Sequence, residues 1–341
     1  MSDLPYLNVV GDVAKIGMCL TILTNSLVIY LTFFHIKSII GPYKWLIVLL
    51  AGLGLTFSIM ESFVHPFLHS FNASFTYFSL SPMLGTSKII RTFLLFLYSV
   101  LYSVIICVIA IQFAYRYLIM NNSNLLMNQR NWHLFWWLVY ILCCVMVWTG
   151  SSMFCLPKEA SIGYVKEEML EKYNCETGNV PGLIIVAYNI ESNTHVFQKA
   201  SIICIIGPSS VLIIQYLIII YCGLEIRQII NNQISRVSRK RHSIQRQLFT
   251  TLVLQISAPS LFHHVPVFLL YVAPYLDLEW SFPSGVMICF FCFYPAIDSV
   301  ILMWMVAEYQ RAIGKMFQEL LTSCLECVRK ATPEETTTMG Q

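Results

Sequence analysis

Between Arg91 and Arg116 run twenty-four residues, 92–115, without a single charged side chain. At 1.5 Å of rise per residue, a helix of that length crosses about 30 Å of hydrocarbon. An isolated arginine costs about 2.5–3.5 kcal/mol at the centre of a bilayer, so the two arginines are expected to mark the ends of the crossing, near the headgroups. The rest of the chain agrees with such a solvent. It is 57% hydrophobic and 11% charged, against about 25% charged in soluble domains, which places it among polytopic membrane proteins. A net charge of +3 without an aromatic-basic motif gives no reason to expect a nucleic-acid partner.

Uncharged runs predict seven spans, at 14–34, 45–64, 91–115, 133–154, 199–222, 247–272 and 283–305. The expected fold class is therefore an all-α membrane protein, a seven-transmembrane helix bundle. Lysine and arginine are distributed fourteen to seven in favour of one set of loops, which sets the N-terminus outside and the C-terminus in the cytosol. The start of the chain lacks the basic region and cleavage site of a signal peptide, so the first span is expected to act as an uncleaved anchor. Residues 1–305 form the seven-transmembrane domain on this reading and 306–341 a cytosolic tail. In that tail Ile313, Met316, Phe317, Leu320, Leu321 and Leu325 recur at helical spacing, as in an amphipathic helix on the inner leaflet of lipids, with a disordered end after it. Cys324 and Cys327 are candidate acylation sites there.

Most of the twelve cysteines fall in apolar runs, where cysteine is a small hydrophobe. Cys155 and Cys175 stand apart on the oxidising side, in the longest outer loop, either bridged to each other or as two free thiols. The sequon at Asn72 lies in an outer loop and is a candidate glycosylation site; the one at Asn121 lies inside and should stay bare.

No metal-binding helix motif, nucleophile elbow or phosphate-cradling loop appears, so the expectation is a protein that is not an enzyme and needs no cofactor or metal. Ionisable residues inside spans are costly and mark function by default. Glu61 lies near the outer end of span two, and Asp298 in the inner half of span seven with Asn25 of span one as a candidate partner. Tyr98 and Tyr102 lie one turn apart in span three, and His263 and His264 at similar depth in span six. With Glu61 these four form the candidate ligand site for a small molecule, though aromatic pairs at this spacing also serve plain packing. Gly207, Pro208, Pro259, Pro266 and Pro295 predict bent helices. Arg236, Arg239, Lys240 and Arg241 form a basic cluster that either anchors on anionic lipid or docks an acidic partner.

Four segments carry a resemblance: Ile40-Gly41-Pro42-Tyr43-Lys44, Phe113-Ala114-Tyr115-Arg116-Tyr117, Leu252-Val253-Leu254-Gln255 with Pro259, and Tyr294-Pro295-Ala296-Ile297-Asp298 followed by Tyr309-Gln310-Arg311. In this order the chain resembles the nematode Str-type seven-transmembrane chemoreceptors, olfactory G-protein-coupled receptors. The resemblance implies an odorant or small-metabolite receptor in the plasma membrane of a sensory cilium, coupled to a heterotrimeric G protein. Arg116 then resembles the arginine ending span three in rhodopsin-like receptors, with Tyr117, Asp298, Arg239, Lys240 and Arg241 around the same coupling face. Ala114 and Tyr115 precede it where an acid is usual, so its resting partner is not given by the motif. A ligand-gated channel or small-solute transporter is the alternative function, with Glu61 and Asp298 on an ion path.

Overall fold

The structure, a computed structural model, describes residues 4–36, 42–81, 87–121, 130–189, 194–232, 239–276, 278, 281–283 and 285–331. The bundle is built from α1 (Leu4–Phe34), α2 (Pro42–Val64), α3 (Lys88–Asn121), α4 (Arg130–Ser152), α6 (Lys199–Asn232) and α7 (Arg239–Pro259), which continues through a π turn (Ser260–His264) into α8 (Val265–Val272). A further helix, α9 (Gly285–Met305), turns by 92° into α10 (Ala307–Ala331). Six helical stretches are long and apolar enough to cross a membrane, and α9 with its bend supplies the seventh crossing. A short helix, α5 (Glu159–Tyr173), lies outside the bundle.

The helices outrun the uncharged stretches that predict them. The first begins at Leu4, and α3 continues to Asn121. The helix therefore does not end at Arg116. That residue sits more than a turn inside α3 and is buried in the bundle, where polar groups of other helices replace the headgroups as its surroundings.

One end of the bundle carries a sheet that hydrophobic runs alone do not announce. Strands β1 (Pro66–Phe71), β2 (Ser74–Ser79), β3 (Gly182–Val186) and β6 (Ser281–Pro283) pair antiparallel in the order β3-β2-β1-β6, drawing together three connections. A two-stranded ribbon of β4 (Tyr188–Asn189) and β5 (Thr194–Phe197) follows. The β1–β2 turn is Asn72-Ala73, with Asn72 at φ 45°, a left-handed conformation that asparagine tolerates. Asn72 is half-buried and the hydroxyl of Ser74 donates to the Phe71 carbonyl at 2.7 Å, so the sequon is folded into its own hairpin.

Strand periodicity divides the sheet's faces. Leu68, Phe75, Tyr77, Leu183 and Ile185 point into the bundle, whereas Phe67, His69, Phe78 and Ile184 point the other way, where Phe67, His69 and Phe78 meet Tyr173 of α5. The result is a layered cap of helix and sheet over the helix ends.

The expected bridge between Cys155 and Cys175 is corrected. Cys155 pairs with Cys204, their Cα atoms 6.2 Å apart. The 3-10 turn Met153–Cys155 carries α4 onto α6. Gly207 makes that approach possible, because a Cβ there would collide with the Ser151 hydroxyl. Cys175, just past the left-handed cap Asn174, turns back towards the Met169 carbonyl at 3.8 Å, and burial pushes its thiol up to about 11. It stays protonated near neutral pH.

At the opposite end, α10 is not separate from the bundle at residue 306. Tyr309 is fully buried and its hydroxyl bonds that of Thr32 at 2.6 Å. Beyond this turn Phe317, Leu320, Leu321 and Leu325 are exposed. Arg239, Lys240 and Arg241 form the first turn of α7, and their side chains lie outside the described residues.

Candidate functional site

A cavity of about 140 Å³ lies directly beneath the sheet, bounded by α3, α4, α6, the π turn, α8 and α9. The inward face of β1, β2 and β3 is its roof. The π turn sets its contents: Pro259 removes a backbone donor and crowds the preceding turn, and the extra residue brings His263 and His264 into the cavity together.

Tyr102, His263 and Phe291 form a stack, with ring centroids 4.5 Å apart for Tyr102 and His263 and 3.6 Å for His263 and Phe291. His264 is held differently, its Nδ1 bonded to the Tyr216 hydroxyl, which also meets the Ser260 hydroxyl at 2.6 Å. Trp148 stands edge-on to Tyr102 and donates its indole N–H to Ser99 at 2.7 Å. Tyr98 completes this side, one turn above Tyr102 on the same face of α3. Thus Tyr98, Tyr102, His263 and His264 share one cavity.

Glu61 does not line it. The carboxyl is buried one layer behind, accepting the Cys292 thiol at 3.3 Å with the Tyr98 hydroxyl as its other polar neighbour. None of the lining residues is Asp, Glu, Lys or Arg. The walls therefore offer aromatic, hydroxyl and imidazole groups but no carboxylate, ammonium or guanidinium to pair with an opposite charge.

The other end of the bundle holds a second polar arrangement. Arg116 donates from Nη2 to the Gln245 carbonyl of α7 at 2.8 Å and lies 5.6 Å from the ring centre of Tyr43, which stacks on Tyr115. Its Nη1 is buried without a hydrogen-bond partner. Asp298, also buried, leaves Oδ1 unpartnered towards a polar void of about 10 Å³ that Tyr43, Gln112 and Gln255 line as well. Tyr43 is thus common to the surroundings of both ionisable groups. Tyr117 instead packs edge-on to Tyr221, 5.9 Å away, outside this cluster.

Asn25 does not pair with Asp298. It donates to the Ala51 carbonyl at 3.0 Å and accepts the Ser299 hydroxyl, tying α1 to α2 and α9. Among the residues the motifs leave unassigned, Trp148, Phe291 and Tyr43 carry the most geometry. Tyr43 stands inside one of the quoted segments, but Trp148 and Phe291 lie in unbroken apolar runs and have no distinguishing signal. No group of three or more His, Cys, Asp or Glu side chains suited to a metal occurs among the described residues.

Comparisons with known proteins agree with this architecture. Residues 11–314 match the family model described as serpentine type 7TM GPCR chemoreceptor Str. The chain is 39% identical over 309 residues to the G-protein coupled receptor str-33 of Caenorhabditis elegans, covering 89% of this chain and 90% of that one. It is 25% identical over 319 residues to Serpentine receptor class r-10 of the same organism, with 92% of each covered. Squid rhodopsin superposes with a TM-score of 0.54 at 15% identity, over 95% of this chain and 88% of that one, and so shares the fold. This is a multi-pass membrane protein of a receptor family rather than an enzyme family, and the chain belongs to the Str family of serpentine seven-transmembrane G-protein-coupled chemoreceptors.

Proposed function

We infer that the chain detects a small neutral odorant or metabolite in the cavity under the sheet and passes the signal to a heterotrimeric G protein at the Arg116 end. On this reading the sheet and N-terminus face outward, Arg116 and the basic start of α7 face the cytosol, and the site of action is the plasma membrane of a sensory cilium. The observation that carries it is the cavity's combination of size and neutrality. Its volume of about 140 Å³ is close to that of an engineered apolar cavity, roughly 150 Å³, that admits benzene. The His263 ring, stacked on both faces, is fixed in place as an orienting polar group. Signalling then requires only that the ligand bind the active packing more tightly than the resting one.

A second-messenger readout in heterologous cells, run against a panel of neutral volatiles and their ionised analogues, tests this. Loss of a stacking partner is worth about 0.5–1.5 kcal/mol, so Tyr102→Ala and His263→Ala should shift the half-maximal concentration about three- to tenfold for a neutral agonist. Arg116→Ala should abolish the second messenger while ligand binding remains. A preference for charged ligands, or ligand-driven current that persists with G-protein signalling blocked, would overturn the reading.

A further inference from the structure

A second recess lies on the flank of the bundle, in the half that holds Arg116, between α3, α4 and α6. It encloses about 370 Å³. Its floor is Ala110 and Ala114, one helical turn apart on α3, whose small side chains leave the space that larger residues would fill. Trp136, Trp137 and Tyr140 of α4 form one wall and Ile218 of α6 the other. The Tyr140 hydroxyl is turned inward, donating to Oε1 of Gln215, so this wall offers aromatic and hydrocarbon surface. Trp136 is 59% exposed at the rim.

All three helices are long and apolar enough to cross a membrane, and the lining residues lie within those candidate spans. With those spans in a bilayer, the apolar flank carrying the recess faces hydrocarbon. From Ala110 to Leu118, the lining residue nearest the helix end, α3 advances about 12 Å. A chain entering beside Leu118 can lie along α3 for that distance with its headgroup left at the interface. We propose that the recess is a binding site for one acyl chain of a membrane phospholipid. An acyl chain needs no polar partner on the walls, which matches this lining. The occupant would set the spacing of α3 and α4 just below the ligand cavity, because Tyr140 on its wall positions Gln215, whose amide donates to Cys107 of α3 and Cys144 of α4 at 3.2 and 3.4 Å. The proposal is independent of which ligand the receptor detects.

The test is photolabelling of the full-length protein in phosphatidylcholine vesicles. One arm carries a phospholipid with a diazirine in its acyl chain, the other a diazirine sterol, and labelled peptides are mapped by mass spectrometry. The acyl probe should concentrate on the peptides holding Ala110–Leu118 and Trp136–Tyr140. Ala114→Leu, which fills the floor, should reduce that labelling by about fourfold or more, the worth of one buried methylene. Trp136→Ala, at an exposed rim position with little bearing on folding, should reduce it as well. Labelling spread evenly over the lipid-facing helices, labelling unchanged in both variants, or stronger labelling of these peptides by the sterol overturns the proposal.

Discussion

At the scale of single residues, Arg116 shows how a buried cation is held without an acid next to it. The guanidinium uses a backbone carbonyl, that of Gln245, and the face of Tyr43. A backbone acceptor carries no side-chain signature, which is why the motif around Arg116 identifies the arginine but not its partner. The contact joins α3 to α7 and α2, so it opposes any outward movement of α7 at this end. Cation–π contacts contribute about 0.5–2 kcal/mol. Tyr43→Ala should therefore raise ligand-independent signalling by roughly fivefold through a shift of about 1 kcal/mol towards the active packing. Basal second-messenger output, normalised to surface expression, checks this, and unchanged output would show that Tyr43 does not hold the resting state. The cysteines give a similar lesson. Cys204 lies inside an apolar run and looks like packing, yet it is Cys204 that meets Cys155.

At the scale of elements, the sheet is the part that the sequence hides best. Its strands alternate properly, but they sit in short loops between long apolar runs, and the pairing that makes them a roof joins residues from three distant connections. The helices were legible because each needs only its own uncharged run, and Tyr98 with Tyr102 because helical spacing is local. His263 and His264 were visible as residues, whereas the π turn that aims both into one cavity depends on how Pro259 disturbs the helix. The roof also contains a titratable group. His69 on β1 is buried, with its Nε2 3.3 Å from Glu168 and its Nδ1 3.1 Å from the Tyr173 hydroxyl, while Ser281 of β6 donates to the same Glu168 at 2.5 Å. Burial lowers the His69 pKa most strongly; Glu168 opposes that shift and Lys172 adds to it. Burial outweighs the ion-pair geometry because only 1% of the His69 side chain is exposed. With a folded pKa below the unfolded value of about 6.5, the unfolded cap binds the proton more readily. The stabilisation is complete above about pH 6.5 and is lost as the pH falls through the lowered folded value. Hydrogen-exchange protection of β1, β2 and α5, taken relative to the intrinsic exchange rate at each pH, should fall as the pH drops below about 6.5, and His69→Gln should flatten that dependence; identical slopes in the two proteins would remove His69 as the cause.

At the scale of the whole molecule, α2 and α9 connect the two polar regions. Near the cavity they carry Glu61 and Cys292, and near Arg116 they carry Tyr43 and Asp298. Between these levels Asn25 of α1 bonds both helices, and Gly54 of α2 sits against it so closely that a Cβ would lie 2.6 Å from the Asn25 amide nitrogen and 3.0 Å from Cβ of Pro295. The three helices can meet here only because position 54 has no side chain. Gly54→Ala should force them apart and cost about 1–3 kcal/mol, typical of overpacking. Gly52 lies on the same helix, and a Cβ there would meet nothing within 4 Å, so Gly52→Ala is the matched control. The thermal midpoint of the purified receptor should fall for Gly54→Ala and hold for Gly52→Ala. The cavity walls are untouched by either change. If the junction transmits the signal, Gly54→Ala receptors that reach the surface should keep ligand affinity within about threefold, or about 0.7 kcal/mol, while their maximal second-messenger response drops. Equal loss of affinity and response would instead mean that the junction supports the cavity and carries no separate signal.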